Sequence, residues 1–102
     1  MVLDDLIQLI KSRKNGDTNK SYTARLFNQG LEECCKKLGE ESVELIIAAL
    51  NNNGDNLKEE TADLIYQLLV LLEFCDIDFE DILFVLKGRT NQSGLQEKSN
   101  RL

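Results

Sequence analysis

Residues 57–74 of the 102-residue chain read LKEETADLIYQLLVLLEF, the strongest structural signal in the sequence. Apolar residues recur there every three or four positions, and the chain contains no proline, so the pattern predicts a long helix. From Leu64 to Leu72 only Gln67 interrupts the apolar run. A helix that is apolar almost all round must be enclosed by other elements. We therefore predict an all-α fold of four to five helices built around this segment.

Local signals place the ends of the helices. Ser21 is a predicted N-cap, Asn56 with Glu59 resembles a capping box, Asp78 can cap the last helix, and Gly88 should end it. The predicted helices span residues 2–14, 22–29, 31–51, a segment from Asn56 to about 74, and 79–87.

The helical segments place residues 1–88 in one domain. So short a chain barely encloses one fully apolar helix, so we expect a homodimer to complete the bundle. Residues 89–102 form a polar tail, which we expect to be mobile in the free protein. From Lys87 onward, four basic residues and one acidic residue give +3, on a chain whose net charge is −6.

Composition excludes several classes of protein. An acidic chain is poorly suited to binding nucleic acid, and no apolar run reaches the roughly 20 residues of a membrane helix. The acidic start, MVLDD, is unlike a secretory signal, so we expect a cytoplasmic protein. Three cysteines and no histidine argue against a disulfide framework, the usual zinc sites and histidine-based catalysis. We expect the cysteines to be small buried residues.

Carboxylates interrupt the apolar stripes of the two longest predicted helices. In the first, Glu41 lies in the middle of the stripe, and Glu44 follows one turn later. In the second, Glu60 interrupts the stripe, and Asp63 follows it by three residues. Burying an ionised carboxylate without a partner is unfavourable. Two such pairs therefore need a common counter-charge.

A short loop at 51–55 predicts that these two helices are antiparallel neighbours, so the carboxylate pairs can face each other. The pattern is E-x-x-E, fifteen intervening residues, then E-x-x-D. Converging carboxylate oxygens suit Mg²⁺, with Mn²⁺ as a substitute, better than zinc or copper. The predicted metal ligands are Glu41, Glu44, Glu60 and Asp63. The alternative is that these acids pair with nearby lysines or simply face water.

Three motifs together resemble the phosphoribosyl-ATP pyrophosphohydrolases of histidine biosynthesis, which belong to the all-α, MazG-like nucleotide pyrophosphohydrolases. They are SYT at 21–23, KKLGEESVE at 36–44 and ETADLIY at 60–66. The resemblance covers residues 3–88. The first two motifs together are far more specific than the metal pattern alone.

The resemblance implies Mg²⁺-dependent hydrolysis of phosphoribosyl-ATP to phosphoribosyl-AMP and pyrophosphate, and it also implies a homodimer. Bound metal would neutralise carboxylates and phosphates together. Glu41 and Glu44 are the implied catalytic carboxylates, and Glu40 either supports the metal ligands or orients the attacking water. The implied substrate-binding residues are Lys37, Lys36 and Arg25.

One position departs from the family pattern, because Gln67 stands where the family commonly has histidine after the tyrosine of its last motif. Glutamine does not titrate near neutral pH, so it can hydrogen-bond or pack but cannot exchange protons. We expect Tyr22 and Tyr66 to lie in the core with their hydroxyls at its edge, with the alternative that either lines a nucleotide pocket.

Two other functions stay open. A house-cleaning nucleotide or deoxynucleotide pyrophosphatase would share the four carboxylates but not the SYT and KKLGEE motifs. A non-catalytic helical adaptor would carry the carboxylates only as a charged patch.

Overall fold

The computed structural model describes residues 2–90, so nearly all of the predicted tail at 89–102 lies outside the described residues. Residues 2–90 form five helices and no strand, which confirms the all-α prediction. The helices are α1 Leu3–Arg13, α2 Tyr22–Gln29, α3 Leu31–Leu50, α4 Gly54–Phe74 and α5 Phe79–Arg89.

The ends of the helices agree only in part with the predicted capping residues. The Ser21 hydroxyl accepts a hydrogen bond from the amide of Ala24, as expected of an N-cap. The N-cap of α4 is Asn53, three residues before the predicted Asn56, because the Asn53 side chain accepts from the Asn56 amide. Asp78 occupies the N-cap position of α5 without a side-chain hydrogen bond.

The C-terminal end of α5 also differs from the prediction. Gly88 lies inside the helix, which continues to Arg89.

Helices α3 and α4 form a long hairpin with the largest interhelical contact of the fold. Only residues 51–53 connect them, so the two helices run antiparallel. Asn52 takes a left-handed backbone conformation in this turn, with φ of 55°, which asparagine tolerates better than most residues. Helix α2 packs against both arms of the hairpin, and α1 packs against α4.

The core lies where α1 and α2 cover the hairpin. Ile10, Leu26, Cys34 and Val70 are the largest fully buried side chains there. Two aromatic rings, Phe27 of α2 and Phe74 of α4, stack with centroids 6.2 Å apart at this end. The expectation of buried cysteines holds for Cys34 and is wrong for Cys35 and Cys75, which are exposed.

Large apolar side chains remain uncovered elsewhere. Val43, Ile47 and Leu50 of α3 are all at least half exposed, and Phe84 of α5 is 79% exposed. No residue of α5 is buried. Ile65 and Leu68, both within the apolar run of α4, are also exposed, so one copy of residues 2–90 does not enclose that helix. Within residues 2–90, no helix combines the length and the apolar character needed to cross a bilayer.

Candidate metal and substrate site

Carboxylates from both arms of the hairpin converge about midway along it. Glu41 of α3 meets Glu60 and Asp63 of α4, and one oxygen from each lies within 4.8 Å of the others. The hairpin accounts for this meeting, because Glu41 lies ten residues before Asn51 and Glu60 seven residues after Asn53. Residues at similar distances from a short turn face each other in antiparallel helices.

Glu44 adjoins this group. Besides burial, the nearby carboxyl of Glu44 raises the pKa of Glu41 and of Glu60. Its own side chain is exposed, so Glu44 lies at the solvent side of the group. The structure therefore brings together three of the four predicted ligands and places Glu44 near them. We call Glu41, Glu44, Glu60 and Asp63 the carboxylate cluster.

Two oxygens of the carboxylate cluster are buried without a partner. Oε2 of Glu41 and Oε2 of Glu60 have no hydrogen-bond donor within the described residues. Burial first, and then the charge of Glu44, raise the pKa of Glu41 to about 7. Burial also raises the pKa of Glu60, with Glu44 and Asp63 adding to the effect. A divalent cation would relieve both the desolvation and the repulsion, so the residues fit a metal of this kind.

The nearby lysines do not neutralise the carboxylate cluster. Lys37 pairs instead with Glu40, at 3.5 Å between Nζ and Oε2. Among the ion pairs of residues 2–90, none joins Lys36 or Lys58 to the cluster. The alternative that the cluster acids are paired with nearby lysines therefore finds no support among these ion pairs.

The other predicted site residues lie around the carboxylate cluster or away from it. Glu40 is not one of the converging carboxylates, since its side chain is 45% exposed and engages Lys37 on the surface of α3. Lys36 is exposed. The Arg25 guanidinium donates to the carbonyl of Thr18, at 3.3 and 3.1 Å, which ties α2 to the loop before it.

The SYT segment contributes three different contacts at the start of α2. Ser21 caps the helix, and the hydroxyl of Thr23, which is 2% exposed, hydrogen-bonds the Tyr66 hydroxyl of α4. Tyr22 is 54% exposed, so its expected place in the core is wrong. Its hydroxyl accepts a hydrogen bond from Nε2 of Gln67, at 3.4 Å.

The Tyr22–Gln67 contact was not foreseen from the sequence. The available signal was Gln67 itself, a polar residue interrupting the apolar stripe of α4.

Comparison with protein families identifies the chain. The family model described as phosphoribosyl-ATP pyrophosphohydrolase matches residues 3–96. The chain belongs to the phosphoribosyl-ATP pyrophosphohydrolase family. Membership confirms the resemblance carried by the three motifs, and the match includes every residue of the carboxylate cluster.

Curated relatives of this family match nearly the whole chain. The phosphoribosyl-ATP pyrophosphatase of Roseobacter denitrificans is 46% identical over 101 residues, which cover 99% of this chain and 96% of the relative. Proteins of the same name from Sinorhizobium medicae and Agrobacterium fabrum are 44% and 46% identical, covering 97% of this chain and 92% of each relative.

Proposed function

We propose that the protein hydrolyses phosphoribosyl-ATP to phosphoribosyl-AMP and pyrophosphate, the second step of histidine biosynthesis. The observation that carries the proposal is the carboxylate cluster, held between α3 and α4 in a chain of the phosphoribosyl-ATP pyrophosphohydrolase family. The names of the relatives support the choice of substrate. The cytoplasm is the proposed location, and neither nucleic acid nor a membrane is a proposed partner.

Glu41, Glu44, Glu60 and Asp63 are the proposed ligands of Mg²⁺, for which Mn²⁺ can substitute. Two unpartnered, buried carboxylate oxygens and the raised pKa values of Glu41 and Glu60 support the assignment. When bound, the ion supplies positive charge that binds the phosphates and stabilises the charge developing on them. Carboxylate oxygens without histidine or thiolate favour such hard cations over zinc.

The ion pair between Lys37 and Glu40 can supply two further functions. Both side chains are partly exposed, and a surface pair of this kind is weak, so a phosphate oxygen can displace Glu40 from Lys37. Lys37 would then hold the substrate, and the released Glu40 carboxylate could orient the attacking water and accept its proton. Lys36 and Arg25 remain secondary candidates for phosphate binding.

A second copy of this chain is the proposed partner. Large apolar side chains of α3, α4 and α5 lie exposed, and an exposed apolar face of this kind is typical of a protein–protein interaction site. A groove of about 420 Å³ lies away from the carboxylate cluster, between α1 and the start of α5. A partner packed on the hairpin would enclose α4 and deepen the site.

Pyrophosphate release from phosphoribosyl-ATP tests the proposed reaction. The assay compares Mg²⁺ with a chelated, metal-free control, and runs ATP and dCTP beside phosphoribosyl-ATP. We expect fast turnover of phosphoribosyl-ATP only, and only with metal. Turnover of ATP or dCTP instead would assign the site to nucleotide house-cleaning, and no turnover of any of them would refute an enzymatic role.

A further inference from the structure

Tyr22 and Gln67 form a pair to which the proposed reaction assigns no role. Gln67 is 5% exposed, and its Nε2 donates to the Tyr22 hydroxyl at 3.4 Å. Its Oε1 is buried and has no hydrogen-bond partner among residues 2–90. An unpaired buried amide oxygen destabilises a fold, so packing alone does not explain a glutamine here. Tyr22 meanwhile remains 54% exposed.

The hydrogen bond determines what the Tyr22 hydroxyl can still do. A phenol carries one proton to donate and lone pairs that accept. Because the Gln67 amide donates to a lone pair, the phenolic proton remains available to an acceptor on the solvent side. An anionic oxygen is the best such acceptor, since hydrogen bonds to ionised groups are shorter and stronger than those between neutral groups.

Helix geometry places this donor beside the carboxylate cluster. Gln67 follows Asp63 by four residues on α4, and Lys37 precedes Glu41 by four residues on α3, so each lies one turn from the cluster. Because the helices are antiparallel, both turns lie on the side of the cluster away from the loop at 51–53. Tyr22 is also near Lys37, whose pKa is raised mainly by Glu40 and then by Tyr22.

We propose that Tyr22 donates a hydrogen bond to a phosphate oxygen of the substrate's triphosphate, next to Lys37, and that Gln67 is the positioning residue that holds the Tyr22 hydroxyl for this contact. The inference rests on the proposed function for the identity of the substrate. A neutral donor beside a cation adds affinity for a polyanion at the edge of a site whose own carboxylates repel it.

Steady-state kinetics with phosphoribosyl-ATP test the contact. Tyr22→Phe removes only the hydroxyl, and we expect it to raise KM about tenfold while kcat stays within about twofold. Gln67→Leu keeps the volume but not the donor, and should raise KM about three- to tenfold. The double variant should be no worse than Tyr22→Phe, because Gln67 acts through Tyr22.

Two further variants separate positioning from structure. Gln67→His restores an N–H donor and should bring KM back to within about threefold of the wild-type value. Tyr66→Phe is the matched control, because it removes a tyrosine hydroxyl that bonds Thr23 at the packed α2–α4 contact. It should lower Tm and leave KM unchanged. A wild-type KM for Tyr22→Phe, additive effects in the double variant, or no recovery in Gln67→His at normal Tm would overturn the inference.

A binding measurement tests the Tyr22 contact independently of the proposed reaction. Calorimetric titration with α,β-methylene-ATP and Mg²⁺ uses a triphosphate that cannot be cleaved between its α and β phosphorus atoms. We expect Tyr22→Phe to weaken binding about tenfold. If the wild-type protein fails to hydrolyse phosphoribosyl-ATP, the proposed function fails, and this titration still decides the role of Tyr22. Equal affinities for the two proteins would overturn it.

Discussion

The two ends of the α3–α4 hairpin differ in what covers them. At the end away from the loop, α1 and α2 pack on the hairpin, and Cys34 and Val70 are fully buried. Toward the loop, Ile47 is 51% exposed and Leu50 is 81% exposed. The carboxylate cluster lies between these ends. The covered end is packed by this chain itself, whereas the uncovered end and the unpaired carboxylate oxygens have no partner within residues 2–90.

Removing one cluster carboxylate should have the largest effect. Glu44→Ala deletes a proposed ligand that is exposed, so the fold should survive while kcat/KM falls at least about 100-fold. The matched control is Glu32→Ala, an exposed acid earlier on α3 and outside the cluster. Circular dichroism and pyrophosphate release measure the two properties. Full activity in Glu44→Ala would remove it from the ligand set.

Introducing a charged side chain at the uncovered end should dissociate the proposed dimer. Ile47→Asp places a carboxylate on the exposed apolar face of α3, where a partner would have to desolvate it. Light scattering at micromolar concentration should change from a dimer to a monomer. The same substitution at exposed Leu9 of α1 should leave the dimer intact. A wild-type protein that is already monomeric would contradict the proposed partner.

Shortening a buried side chain at the covered end should lower the stability of the single chain. Leu26 is 1% exposed, so Leu26→Ala should lower the free energy of unfolding by about 3 kcal/mol. Val43→Ala, at a position 55% exposed, should change it by less than about 1 kcal/mol in the monomeric background of Ile47→Asp. Urea unfolding measures both. Similar losses at the two positions would show that the ends do not differ as described.

The smallest expected effect is a dependence of stability on pH, which arises from the titration of Glu41. Glu41 has a pKa of about 7 in the folded protein against an ordinary glutamate pKa of 4.5, so between these values the folded state binds more protons than the unfolded state. Without metal, Tm should therefore fall as pH rises from about 5 to 8. Saturating Mg²⁺ should raise Tm at pH 8, because it binds only the folded state. Glu41→Gln should flatten the metal-free profile, whereas a Tm that rises with pH would contradict the sign.

Sequence periodicity was sufficient for properties that lie within one helix. Spacing along the chain was enough to predict the number and approximate extents of the five helices, the Ser21 cap and the interruption of apolar stripes by Glu41 and Glu60. A short loop was then enough to set the two carboxylate pairs opposite each other. Spacing was insufficient for the cap of α4, because Asn53 and Asn56 have the same side chain and only the backbone decides between them.

Contacts between helices distant in sequence were harder to predict. Tyr22 and Gln67 are 45 residues apart, and periodicity cannot say which face of α2 covers which turn of α4. The same limit explains the incorrect expectation that Tyr22 and Cys35 would be buried. An apolar or amphipathic residue on a short helix is buried only if another element covers its face.

Titration of Mn²⁺, followed by electron paramagnetic resonance of the free ion, tests most directly whether the carboxylate cluster is a metal site. The wild-type protein should remove Mn²⁺ from solution in a saturable way, and Mg²⁺ should compete for the same site. Glu44→Ala should weaken that binding at least about tenfold, while Glu32→Ala should not. Unsaturable binding, or equal binding by Glu44→Ala and the wild-type protein, would contradict the assignment and leave the cluster as a charged surface.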